Sequence, residues 1–113
     1  MKTAETIVTE HVERWSWSAA DVSDAARRYA ATGDGLDDET DADAALDAYG
    51  RDGDGGLSEQ LRDPEQCEEA ATLDDLAIAR ICARYWLAVA RKRNELVRRG
   101  AALLSARSDE GES

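Results

Sequence analysis

The chain has no phenylalanine, one proline, one methionine, one histidine and two cysteines. The shortage of histidine and cysteine removes classes of function. Zinc sites take four cysteine or histidine ligands, or three with a carboxylate; His11, Cys67 and Cys82 are too few and too widely spaced. Di-iron bundles use Glu-x-x-His on facing helices, but Val8 stands three residues before His11. No GxSxG, P-loop or GxGxxG sequence occurs. On one continuous helix, Cys67 and Cys82 would lie about 22 Å apart, beyond disulfide reach, although a break near Thr72 reopens that question.

Bulky aliphatic residues are also scarce. Leucine, isoleucine and valine number 18 in 113 residues, and 21 of the hydrophobic residues are alanine. With a net charge of -11, this composition falls among disordered chains. Alanine favours helix but buries little area, so the chain makes helices more readily than it fills a core. A deep pocket able to shift carboxylate pKa values for acid–base work is not expected. No catalytic residue is assigned, and no cofactor is expected. The N-terminus has no apolar signal-like run, and the longest apolar stretch, near Tyr85 to Ala90, is too short to span a bilayer. The expected location is cytoplasmic, with no membrane contact.

One strong pattern remains. From Leu73 to Arg107, Ile78, Cys82, Tyr85, Trp86, Val89, Leu96, Val97, Leu103 and Leu104 recur at helical spacing. Only Arg93 and Gly100 interrupt this stripe. A second apolar row (Leu76, Ala77, Ile81, Ala83, Leu87) makes the first half apolar nearly all round. The expected fold is all-α: three to four helices packed around this long C-terminal helix. Residues 1–107 form a single small helical domain, with a helical hairpin over 1–33 and an acidic, glycine-rich and partly mobile segment over 34–63. The long helix covers 64–107, continuous from Pro64 or broken near Thr72, and 108–113 form a disordered acidic tail.

Along the chain, helix one is expected from Ala4 to Trp15, with Ala4, Val8, His11, Val12 and Trp15 on one face and Ile7 at its edge. His11 reads as a packed residue on that stripe. Ser18 is a good N-cap for helix two, Ala19 to Thr32, which Gly33 ends. Val22, Ala26 and Tyr29 face inward, and Asp24 and Arg28 are spaced for an i,i+4 ion pair. Trp15 and Trp17 either pack over the corner between these helices or form an exposed anchor. Helix three is expected from Asp38 to Tyr49.

Gly50 to Leu61, GRDGDGGLSEQL, resembles an EF-hand calcium loop. The resemblance implies Asp52, Asp54 and Ser58 as candidate ligands. It covers twelve residues and departs from the pattern at both ends, where Gly50 and Leu61 replace the first ligand and the bidentate glutamate. No calcium response is therefore expected.

Charge is the most informative feature. Residues 34–69 carry 14 acids against Arg51 and Arg62. The C-terminal helix instead carries a basic patch: Arg91, Lys92, Arg93, Arg98 and Arg99. These bases could be solvated or paired within the chain, or could meet an acidic partner. Direct nucleic-acid binding is not expected, because the net charge opposes steering and no aromatics interleave with the bases. The leading reading is a non-enzymatic protein–protein interaction or regulatory module that self-associates as a dimer or higher through Ile78, Cys82, Tyr85, Trp86, Val89 and Leu96. The alternative is a nucleic-acid mimic that presents Asp37, Asp38, Asp41, Asp43 and Asp47, on one helix and its lead-in, to the basic site of a nucleic-acid-binding protein.

Overall fold

The computed structural model describes residues 1–50, 53 and 55–111, with side chains through 106. The described residues contain no strand and five helices: α1 (Ala4–Arg14), α2 (Ala19–Thr32), α3 (Ala42–Tyr49), α4 (Leu57–Arg62) and α5 (Asp75–Gly111). The fold is all-α with a long C-terminal helix, as the periodicity predicts. None of these helices is long and apolar enough to cross a membrane. The residues group into two compact units: Met1–Trp15 with Asp38–Val89, and Ser16–Asp37 with Ala90–Ser113. The helices read as one N-terminal hairpin thus belong to different units, α1 to the first and α2 to the second.

The first unit holds α1, α3, α4 and α5 up to Val89. Its core is built from Ile7, Leu57, Leu61, Cys67, Ile78, Cys82, Tyr85, Trp86 and Val89. Ile7, Leu57, Leu61 and Val89 are fully buried, each contributing about 2 kcal/mol by leaving water. Ile7 is thus at the centre of the α1 face, not its edge. Tyr85 and Trp86 meet at a ring separation of 4.8 Å, and Tyr49 stacks on Trp86 at 5.9 Å. His11 is buried, donates from Nε2 to Gln60 Oε1 at 2.8 Å and meets the Tyr85 ring edge-on. This is the packed role expected of it.

The long helix begins at neither Pro64 nor Thr72. Asp63 accepts from the Glu65 N–H and from the Gln66 side chain, but only a turn follows. The N-terminus stops it: Lys2 N–H donates to Gln66 O and Glu68 N–H donates to Lys2 O, at 3.2 and 2.9 Å. This parallel bridge at Cys67 withdraws the backbone from helix. Glu69 supports it by accepting from the Ala4 N–H. Helix then starts where Asp74 accepts from the Ala77 N–H at 2.8 Å. At the far end α5 continues to Gly111. Residues 108–111, expected as part of a disordered tail, are therefore helical; no proline or glycine stands between Gly100 and Gly111. Residues 112 and 113 lie outside the described residues.

Helix three also starts later than expected. Asp38 accepts from the N–H and hydroxyl of Thr40 and from the Asp41 N–H, closing a turn in place of a helical one. Asp41 then caps α3 by accepting from Asp43 and Ala44. The short α4 was not expected. It follows Gly56, whose φ of 84° is costly for other residues, and it buries Leu57 and Leu61. Leu76, assigned to a second apolar row, is instead 60% exposed.

The second unit pairs α2 with α5 from Ala90 onward. Ser18 Oγ accepts from the Asp21 N–H at 3.1 Å, and Gly33 ends α2 at a φ of 74°, as read from the sequence. Ala26, Val97 and Ala101 are buried. The helices approach closely because residue 100 is glycine: a Cβ there would lie 2.8 Å from Ala26 Cβ.

Candidate functional site

The second unit holds a cleft of about 240 Å³ lined by Trp17, Asp21, Asp24, Ala25, Arg28, Gly35, Asp37, Arg93 and Val97. Helical spacing supplies most of this lining. Asp21, Asp24, Ala25 and Arg28 recur at steps of three and four on α2, and Arg93 and Val97 are one turn apart on α5. Trp17 directly precedes the Ser18 cap.

After Gly33 the chain turns back, and Gly35 has a φ of 105°. The Arg28 side chain passes this glycine, with Cδ 3.7 Å from the point a Cβ would occupy. The returning segment is held at Asp37 by Asn94, which is 1% exposed. The Asp37 N–H donates to Asn94 Oδ1 and Asn94 Nδ2 donates to Asp37 O, both at 2.9 Å. The side-chain amide thereby imitates a backbone partner. The Asp37 carboxylate accepts from Arg93 Nη1 at 3.0 Å. The same guanidinium lies over Trp17, with Cζ 4.3 Å from the ring centroid, well inside cation–π range. The Arg93 and Asp37 side chains are 21% and 29% exposed, so their pairing is better shielded than a surface ion pair.

The lining thus has three carboxylates, two guanidinium groups and one indole. It has no serine, cysteine, histidine or lysine, hence no ordinary nucleophile or neutral-pH base. Its polar groups are charged ones that pair with ions.

Comparison with known proteins identifies no relative: no family model, curated protein or solved structure matches the chain.

The residues singled out from the sequence are dispersed. Ile78, Cys82, Tyr85, Trp86 and Val89 are buried in the first unit at 0–8% exposure; Leu96 is partly buried in the second. Of the acids, Asp37 belongs to the second unit, and Asp38, Asp41, Asp43 and Asp47 to the first. Only Asp43 and Asp47 lie within α3, both exposed. In the basic patch, Arg93 lines the cleft and Arg99 pairs with Glu95 at 2.9 Å. Arg91 and Arg98 are exposed, and Lys92 is partly so. Asp24 lies 3.8 Å from Arg27, not paired with Arg28. Asp52 and Asp54 lie outside the described residues. Ser58 Oγ is 3.4 Å from Cys82 Sγ, a contact with the core. Among the described residues no group of three metal-ligating side chains converges.

Three carboxyls are held below their usual range. The Lys2 ammonium does this for Glu10, the backbone and hydroxyl of Thr40 for Asp38, and the Gln66 side chain for Asp63. All three are surface groups serving local structure. Asn94, which positions the cleft, carried no sequence signal; an asparagine inside a basic run of α5 reads as surface. Trp17 and Arg93 were visible separately, but their meeting depends on the tertiary path.

Proposed function

We propose that the chain is a non-enzymatic, acidic helical interaction module that meets a basic protein surface through its exposed carboxylates. One observation carries the reading. The apolar residues that could have formed an interface, Ile78, Cys82, Tyr85, Trp86 and Val89, are enclosed by the first unit itself, while Asp21 and Asp24 on α2 and Asp43 and Asp47 on α3 face solvent. With a net charge of -11, long-range fields draw cationic partners and repel polyanions. The basic site of a nucleic-acid-binding protein is one surface of this kind. We place the module in a reducing compartment such as the cytoplasm, where the buried Cys67 and Cys82 remain thiols.

The test is to isolate the partner from the native host and measure its affinity at low and high salt, for the parent and for a variant with Asp37, Asp38, Asp41, Asp43 and Asp47 changed to Asn. Affinity is expected to fall steeply with salt and to drop in the variant. Competition by nucleic acid would identify the partner as a nucleic-acid-binding protein. Salt-independent binding, unchanged in the variant, rejects the reading.

A second reading, self-association, has one observation in its favour. Leu103 is 66% exposed and stands one heptad after Leu96 on the same face of α5.

A further inference from the structure

We propose that the cleft of the second unit is a socket for a single lysine or arginine side chain of the partner. The inference rests on the acidic-module reading and gives it a site. Three observations lead to it.

The first is the cleft's own tenant. Arg93 is held there by the face of Trp17 on one side and the Asp37 carboxylate on the other. That pair of contacts is the chemistry that recognises a cation. An anion entering the cleft would have to compete with Asp37 for Arg93 while approaching Asp21 and Asp24. The second is the charge that remains. With Arg93 and Asp37 engaged, the other charged groups in the lining are Asp21, Asp24 and Arg28. Two exposed carboxylates, one helical turn apart on α2, stand in the lining with one guanidinium, that of Arg28, which passes Gly35; Asp24 also lies 3.8 Å from Arg27, an ion pair open to solvent on both sides and therefore easily exchanged for a partner's cation.

The third is size. A volume of about 240 Å³ is below the roughly 300–1,000 Å³ of pockets that enclose whole small molecules. It suits one extended side chain. Ala25 and Val97 offer apolar surface for the methylene stem, and Asp21 and Asp24 receive the charged head, as long cationic side chains prefer. Trp17 is itself only partly buried and borders the entry.

The experiment uses the full chain and two fluorescent, capped hexapeptides, one of alternating arginine and alanine, the other of alternating glutamate and alanine. Binding is followed by polarisation at low salt. The basic peptide is expected to bind and the acidic one not. Asp21→Asn/Asp24→Asn is expected to weaken binding at least about tenfold. Glu59→Gln/Glu68→Gln removes the same charge from exposed positions of the first unit and is expected to change it less than about twofold. Trp17→Leu is expected to weaken binding as well; because it could loosen the unit, the exposed Asp21 and Asp24 pair is the decisive variant. Equal losses in the two double variants would overturn the socket and leave the acidic module standing, since attraction would then be diffuse. No binding of the basic peptide by the parent overturns both.

Discussion

Asn94 uses both ends of its amide on the backbone of one residue, Asp37, with two hydrogen bonds of 2.9 Å. Among the described residues, Asn94 and His11 are the buried polar side chains, and no buried side-chain polar atom there lacks a partner. Cutting one side of a buried pair costs more than the pair contributes, because the group left behind stays dry. Asn94→Ala is therefore expected to destabilise the protein by about 2 kcal/mol in urea unfolding. Asn94→Asp should do worse at neutral pH, because it turns a carboxylate oxygen toward the Asp37 carbonyl. A loss below about 0.5 kcal/mol, the scale of an ordinary surface substitution, would show that Asp37 is held by other means.

Gly100 makes the opposite kind of prediction. Glycine inside a helix costs about 1 kcal/mol relative to alanine, so Gly100→Ala would normally stabilise. Here the new methyl group meets Ala26 Cβ at 2.8 Å, and neither atom has a flexible end to move aside. Gly100→Ala is expected to lower the thermal midpoint. In a double-mutant cycle, Ala26→Gly should be less harmful in the Gly100→Ala background than alone. Additive effects would mean that the helices separate without strain.

These two residues mark what was legible in the sequence. The bounds of α2 were, because Ser18 and Gly33 act on the backbone beside them. The stripe through Ile78, Cys82, Tyr85, Trp86 and Val89 was, because helical periodicity is local. The start of α5 was not. Asp63, Thr72 and Asp74 all offer caps, and the choice is made by Lys2, which pairs with residues 66–68 from more than sixty positions away. The cleft was illegible for the same reason. Nothing near Arg93 in sequence names Trp17 or Asp37, and Gly100 looked like an interruption until Ala26 stood opposite it.

Acid should weaken the first unit in a specific way. Asp38 and Asp63 have folded-state pKa values below their ordinary ones, because Thr40 and Gln66 bond to their ionised forms. A lowered folded pKa means stability that is present above the unfolded-state value and is lost as pH falls through the folded one. The loss thus begins below about pH 4, the ordinary aspartate value. Asp38→Ala/Asp63→Ala should melt earlier than the parent at neutral pH and show a shallower decline between neutral pH and pH 3. Parallel declines would remove these two carboxylates from the acid response.

Self-association and core integrity can be separated by two substitutions on α5. Trp86 is 5% exposed, packed between Tyr49 and Tyr85 in the first unit. Trp86→Asp would bury an unpaired carboxylate there, which costs several kcal/mol. It should abolish most of the far-ultraviolet helical signal whether or not the protein is a dimer. Leu103 is 66% exposed in the second unit, so Leu103→Asp should leave helicity and monomer stability nearly unchanged. If two copies meet through Leu96 and Leu103, light scattering gives a dimer mass for the parent at micromolar concentration and a monomer mass for Leu103→Asp. A parent that is already monomeric, with a cooperative unfolding transition, ends the self-association reading. A dimer that survives Leu103→Asp places the interface elsewhere. Either result leaves the acidic surface to be judged by its own dependence on salt.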